Sequence, residues 1–284
     1  MTTTPTGSTQ RDGIHWGIVR AIAERDLILV RRSKSVLLPI IIVPLILLVL
    51  IPAGIGFLTP LVEGADDLAD IQRFLEMMPA PMKAQFDRYN ERQVALVFAL
   101  VYMFAPLYLI LPMMTASVIA AGSFAGEKEK GTLEALLYTP ATDGELVVGK
   151  LLGAWVPAAV VGLAGFVLYS VVVNVSASQT MGGIFFPNAM WVVLALWMGP
   201  AAAALGLGSM VLVSSKVSTY QDAYQLGGMV VIPLIVLVLG QLAGVIYLSA
   251  GFVFVAGTVL WLIDAVILWF AVRTFRRSEI IARL

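Results

Sequence analysis

The residues that could do chemistry in this chain are concentrated in one stretch. Between Phe124 and Leu151 the sequence reads FAGEKEKGTLEALLYTPATDGELVVGKL. Glu127, Glu129 and Glu134 are interleaved with Lys128 and Lys130, and Gly131-Thr132 breaks the run before an apolar segment holding Leu133, Leu136 and Leu137. Such a charged turn followed by a short surface helix suits docking onto another protein, because carboxylates offer acceptors to basic or amide donors while the leucines anchor the helix behind them. Thr142-Asp-Gly-Glu145 has the spacing of a capping box and marks the start of the next helix. Gly144-ELVV-Gly149-Lys150 imitates the spacing of a phosphate-binding P-loop. Leu151, however, stands where the magnesium-binding hydroxyl belongs, and no strand precedes the loop, so no nucleotide chemistry is expected of this chain. The other candidate is Asp264, an acid deep in an apolar run and nine positions before Arg273, about 13 Å along a helix. A carboxylate there is costly and reads as functional by default. A proton or cation relay, a hydrogen bond to a neighbouring helix and a solvated vestibule position all remain open for it. There is no cysteine and a single histidine, His15, which excludes disulfides, thiolate chemistry and Cys/His zinc sites.

The elements that must position these residues follow from composition. Of 284 residues 60% are apolar and 13% charged, against about 25% charged in a soluble domain. An ordinary soluble enzyme is excluded, and zero net charge offers no bulk attraction to nucleic acid. The fold expected is all-α: a polytopic membrane protein of six spans at about 36–59, 94–122, 146–175, 189–213, 226–248 and 252–272. The last two come from one run of 47 residues with a single formal charge, which as one helix would be about 70 Å long, more than twice a hydrocarbon core. Fourteen of the eighteen lysines and arginines fall on one side of this arrangement, so both termini are expected in the cytoplasm. Residues 1–13 read as a disordered tail and 276–284 as a basic tail. Residues 14–34 read as an amphipathic interface helix, with Trp16, Ile18, Val19, Ile22, Leu27 and Val30 on one half and Arg20, Glu24 and Arg31 opposite. Asp26 falls inside the apolar half and spoils it. Residues 60–93 form an outside loop with two short amphipathic helices around Pro79 and Pro81, and 123–145 form the charged cytoplasmic segment. Trp155, Trp191 and Trp269 lie near span ends, where tryptophan anchors membrane helices. Gly240 and Gly244 form a GxxxG packing pattern. Few polar residues interrupt the spans beyond Asn174, Gln241 and Asp264, which favours a lipid-like or amphipathic cargo.

The run EKEKGTLEALLYTPATDGELVVGKLLGAW resembles the signature loop of the type-2 ATP-binding-cassette (ABC) export permeases, with its Glu-x-Glu-x-Gly-Thr-x-Glu turn, Leu-Leu, Thr-Pro and the Gly-Lys entering span three. SSKVSTYQDAYQLGGMVVIPL is similar to the same family's loop between spans four and five. The resemblance implies a transmembrane permease subunit of the cell membrane, not itself an enzyme, that exports substrate by alternating access. It pairs with a second permease, identical or homologous, and docks on two ATP-binding subunits that carry ATP and magnesium, while this chain binds no cofactor. Glu127, Glu129, Gly131, Thr132, Glu134 and Leu137 would couple to those ATPases, and the interface helix, with Trp16, Arg20, Glu24 and Arg31, would touch both partner and lipid. The outside loop of about 34 residues is shorter than in many members. The competing readings are an ion-coupled secondary transporter or channel centred on Asp264, and a noncatalytic membrane assembly or immunity protein.

Overall fold

The computed structural model describes residues 14–61, 86–129, 131, 141–217, 219–242, 246 and 248–274. Among them every regular element is helical. Helix α1 spans Trp16–Arg32 and ends at Ser33, whose extended backbone turns the chain. Six helices long and apolar enough to cross a membrane follow: α2 (Val36–Leu58), α3 (Glu91–Glu129), α4 (Gly144–Ser176), α5 (Ala189–Ser214), α6 (Tyr220–Gln241) and α7 (Ala250–Ala271). The all-α, six-span architecture is the one expected from composition. Pro39 and Pro44 lie inside the first of these helices without ending it, and a π turn at Leu45–Leu50 takes up the register that the missing amide donors upset.

Helices α3 and α5 are the most buried of the six and form the centre. Gly206 of α5 lies directly against the Met113 carbonyl and Ser117 of α3, so that a side chain there would drive the two backbones apart. The other spans wrap this pair and turn apolar side chains outward, among them Leu50, Val160, Val171, Leu239 and Leu262. A face of that kind is covered by lipid tails, because in water it would be an aggregation site.

The centre is held by an irregularity in α3. Its π turn at Phe98–Met103, followed by Pro106, withdraws amide donors from the carbonyls one turn earlier. Three consecutive carbonyls then receive side chains from three other spans. Tyr169 Oη of α4 donates to Leu100 O, Trp191 Nε1 of α5 to Val101 O at 2.7 Å, and Gln241 Nε2 of α6 to Tyr102 O at 3.1 Å. Trp191 is therefore not an interfacial anchor. It is fully buried, stacked on Tyr169 at 4.8 Å and edge-on to Phe186 at 4.9 Å, because its indole N–H has a carbonyl to satisfy inside the bundle. Asn174 is also a structural residue: it donates to Phe186 O at 2.7 Å and accepts from the Phe185 and Phe186 amides at 3.1 and 3.3 Å, pinning the connection into α5. Gly240 packs against Ile246 in the connection that follows its own helix, so its role is local. Gly244 lies outside the described residues.

Replacing Tyr169 with phenylalanine deletes one of these three bonds and leaves a buried carbonyl short of a donor. The expected loss is about 1–3 kcal/mol of stability, read as a lower unfolding midpoint of the detergent-solubilised chain. An unchanged midpoint would mean that the carbonyl needs no side-chain donor.

Candidate functional site

The site is built at the end of the bundle where α1, the last turn of α3 and the first turns of α4 meet. Thr142 starts α4 as the sequence anticipates: Thr142 Oγ1 accepts from the Glu145 amide at 3.3 Å and Glu145 Oε2 from the Thr142 amide at 2.8 Å. Glu145 Oε1 also accepts from the His15 amide at 2.8 Å, so one carboxylate caps α4 and holds the entry to α1. Farther along α4, Gly149 and Gly153 allow α1 to lie almost on the α4 backbone. A Cβ at Gly149 would stand 2.9 Å from Ile22 Cβ and 3.1 Å from Val19 O, and one at Gly153 would stand 3.2 Å from Ala23 Cα. The glycine of the false P-loop thus serves helix packing.

That close approach delivers Asp26 into the bundle. The face of α1 that packs inward is Val19, Ile22, Asp26 and Val30, at helical spacing. Asp26 is 2% exposed and is the polar centre of the contact. Lys150, which as an interface lysine would face the membrane surface, is instead 4% exposed and turned inward. Its Nζ donates to Glu127 Oε2 at 2.6 Å and to Ser123 O at 2.7 Å, and stands 3.6 Å from Asp26 Oδ2 and 5.4 Å above the Phe124 ring. Arg25 closes the group, pairing with the other oxygen of Glu127 and lying 3.5 Å from Asp26 Oδ1. Two cations and two carboxylates balance, and this neutrality is what lets so much charge remain buried. Glu127, at 5% exposure, has both carboxylate oxygens engaged inside the chain, Oε1 by Arg25 and Oε2 by Lys150.

Glu129 joins a different pair of elements. It is exposed on the last turn of α3, and its Oε2 accepts from the Tyr220 amide at 2.8 Å, at the first turn of α6, where Thr219 also caps by accepting from the Asp222 amide at 3.1 Å. Lys128 Nζ donates to Val217 O at 3.0 Å in the same connection. Gly131 has φ of 65°, a left-handed conformation that suits glycine. Thr132, Glu134 and Leu137 lie outside the described residues.

On α1 the outward side carries Trp16, 66% exposed, together with Arg20, Glu24 and Arg31. Trp16 therefore shares a side with the charged residues and not with the buried stripe. Arg20 Nε donates to Glu24 Oε1 at 2.6 Å, and this bond and charge raise the Arg20 guanidinium above its ordinary pKa. The pair is fully solvated and contributes little to stability. The exposed Ile28 and Leu29 add an apolar strip to the same helix, in keeping with an element that lies along a membrane surface.

Asp264 is not brought to this cluster. It lies on the face of α7 that packs on α5, between Gly257, whose Cβ would meet Trp197 Cδ1 at 2.7 Å, and Ile267, which fills the space left by Gly208. It is 0% exposed, and among the described residues no donor reaches either carboxylate oxygen.

Among the described residues no group of three His, Cys, Asp or Glu side chains could hold a metal. What the four-residue cluster can do is mechanical: it makes α1, α3 and α4 one charge-locked body at the end where the charged segment emerges. Arg25, Asp26 and Lys150 are the members that sequence reasoning missed. The available signal was a pair of misfits of opposite sign, an aspartate in an apolar stripe and a lysine set among apolar residues. Comparison with curated proteins finds no match. A family model described as ABC-2 family transporter protein matches residues 20–279, nearly the whole chain from α1 through α7, and the chain belongs to that family, whose members are the membrane-spanning permease subunits of ABC transporters.

Proposed function

We propose that this chain is one of two permeases, identical or homologous, in an ATP-driven exporter of the cell membrane, with both termini cytoplasmic. It docks on two separate ATP-binding subunits, which hold ATP and magnesium. ATP binding closes those subunits and displaces the segment after Glu129. The displacement passes to α1, α3 and α4 through the Arg25–Asp26–Glu127–Lys150 cluster and to α6 through Glu129, and the pathway between the two permeases opens outward.

The cluster is the observation that carries this reading. A loose polar loop would absorb the motion of a docked partner, whereas a buried, charge-balanced joint transmits it, since separating its members exposes unpaired charge. The cargo favoured is lipid-like or amphipathic, because Asn174 and Gln241 are engaged in holding the bundle and are not presented to a polar pathway.

The test is to extract the tagged chain gently from its native membrane, identify what accompanies it, and assay ATP hydrolysis together with transport. A stoichiometric ATP-binding subunit is expected. Glu129→Lys, an exposed change that leaves the buried cluster intact, is expected to lower cargo moved per ATP roughly tenfold while the ATPase stays bound. An unchanged ratio in that variant, or the absence of any ATP-binding subunit, would overturn the proposal.

A further inference from the structure

At the end of the bundle opposite the ion cluster, about 37 Å away along α3, there is a cavity of about 360 Å³. Its walls are Phe86, Tyr89, Tyr102 and Phe185, and Val101 lies at its base. Among the described residues, the polar side chains that converge on it include Arg88 and Asn188, and no acidic one lines it. The neighbouring acids Asp87 and Glu91 are outside the lining, and among the described residues no carboxylate forms an ion pair with Arg88. The Arg88 guanidinium lies 4.7 Å from the centre of the Tyr89 ring, an arrangement that steadies the cation without neutralising it.

The base of the cavity is rigid. Val101 and Tyr102 belong to the π turn whose carbonyls are tied to Trp191 and Gln241, and Phe185 is held through its amide by Asn174. Asn188 accepts from the Trp191 amide at 3.0 Å and so caps α5 with its oxygen turned to the helix. A preformed aromatic recess of this size with the Arg88 cation at its edge has the makeup of a small-molecule site.

We infer that this cavity binds an amphipathic anion: an apolar or aromatic body seated between the Phe86, Tyr89 and Phe185 rings, with one carboxylate or phosphate on Arg88. The aromatic walls take the body by area, and the guanidinium selects the charge by a charge-assisted, two-pronged hydrogen bond. Two sources supply this chemistry, a soluble amphipathic acid and the headgroup region of an anionic lipid. Its service as a station for departing cargo rests on the exporter reading and on the proposed orientation. The binding site itself rests on neither.

The experiment uses the full chain, without ATPase, in nanodiscs of phosphatidylcholine. Equilibrium dialysis measures 2-naphthoate against the matched neutral 2-naphthylmethanol and the cationic 2-naphthylmethylammonium, with empty discs as the blank. Saturable binding of the acid is expected, with weak binding of the alcohol and none of the cation. Arg88→Gln, at an exposed position where folding is not at risk, is expected to weaken the acid roughly tenfold or more, and Arg88→Lys less so. Tyr89→Ala, which removes a wall, is expected to weaken acid and alcohol together. Equal binding of all three probes, no saturable binding of the acid, or indifference to Arg88→Gln would overturn the site. Repeating the titration in discs containing phosphatidylglycerol identifies the source: displacement of naphthoate assigns the site to a lipid headgroup, and undiminished binding assigns it to a soluble acid. Because no ATPase is present, failure here leaves the exporter reading standing, and failure of ATPase copurification leaves the site standing.

Discussion

Lys150→Met is expected to be among the most damaging single substitutions in this protein, because it removes a buried cation from between two buried carboxylates. Asp26 and Glu127 would then share only Arg25, itself partly exposed, and one negative charge would stay buried without compensation. Breaking a buried ion pair from one side costs about 3–5 kcal/mol, which corresponds to a fall of roughly 10 °C in the melting temperature of the detergent-solubilised chain. The size of the side chain is not the cause, since methionine matches the lysine stem in length and in apolar character. The double variant Glu127→Gln/Lys150→Met separates charge balance from shape. It leaves the neutral pair Arg25 and Asp26, and it is expected to recover at least about half of the loss, because the worst term, an uncompensated carboxylate, is gone. If the double variant is as unstable as the sum of its parts, the members act independently and the cluster is not a balanced unit.

The second large effect concerns the fit of α1 on α4 and compares one substitution at two glycines of the same helix. Gly149→Ala would place a methyl group 2.9 Å from Ile22 Cβ and 3.1 Å from the Val19 carbonyl. Backbone and a Cβ cannot swing away as a side-chain tip can, so α1 must shift as a body and draw Asp26 from Lys150. Overpacking of this kind costs about 1–3 kcal/mol, and the weakened ion contacts add to it. Gly144→Ala meets nothing within 4 Å. It is expected to be neutral or to stabilise by up to about 1 kcal/mol, as alanine does in a helix. Thermal unfolding of the two variants side by side checks this. Equal behaviour of the two alanines would show that α1 and α4 pack more loosely than those two distances require.

Sequence alone determined the class of this protein. Long apolar runs can meet the hydrogen-bonding demand of their backbones in lipid only as helices, so the number and order of the spans follow from hydropathy and from the length of the apolar run at 226–272. The Thr142 cap was equally legible, because a capping box is a local motif whose partners lie three residues apart. Glu127 and Glu129 were visible as candidates for the same reason, as charges in a short run.

What they touch was not visible, since it depends on which helix faces lie together. Asp26 looked like a flaw in an amphipathic stripe until α4 was laid against that stripe, and Lys150 stood out only as the lysine of a false P-loop until α3 ended beside it. Asp26 and Lys150 are separated by more than a hundred residues, and only the small cross-section of Gly149 and Gly153 brings them within reach. Trp191 and Gln241 were misleading for a related reason. Their polar ends are drawn inward by carbonyls that a π turn and Pro106 release, and hydropathy carries no trace of a register slip of that kind. The cavity below Arg88 belongs with these: its walls come from segments nearly a hundred residues apart, held by bonds to the same turn. Hydropathy and local motifs determined what this chain is. Close approach of small residues and the rerouting of backbone hydrogen bonds decided where its charges lie, because both depend on contacts between segments that the order of residues does not place side by side.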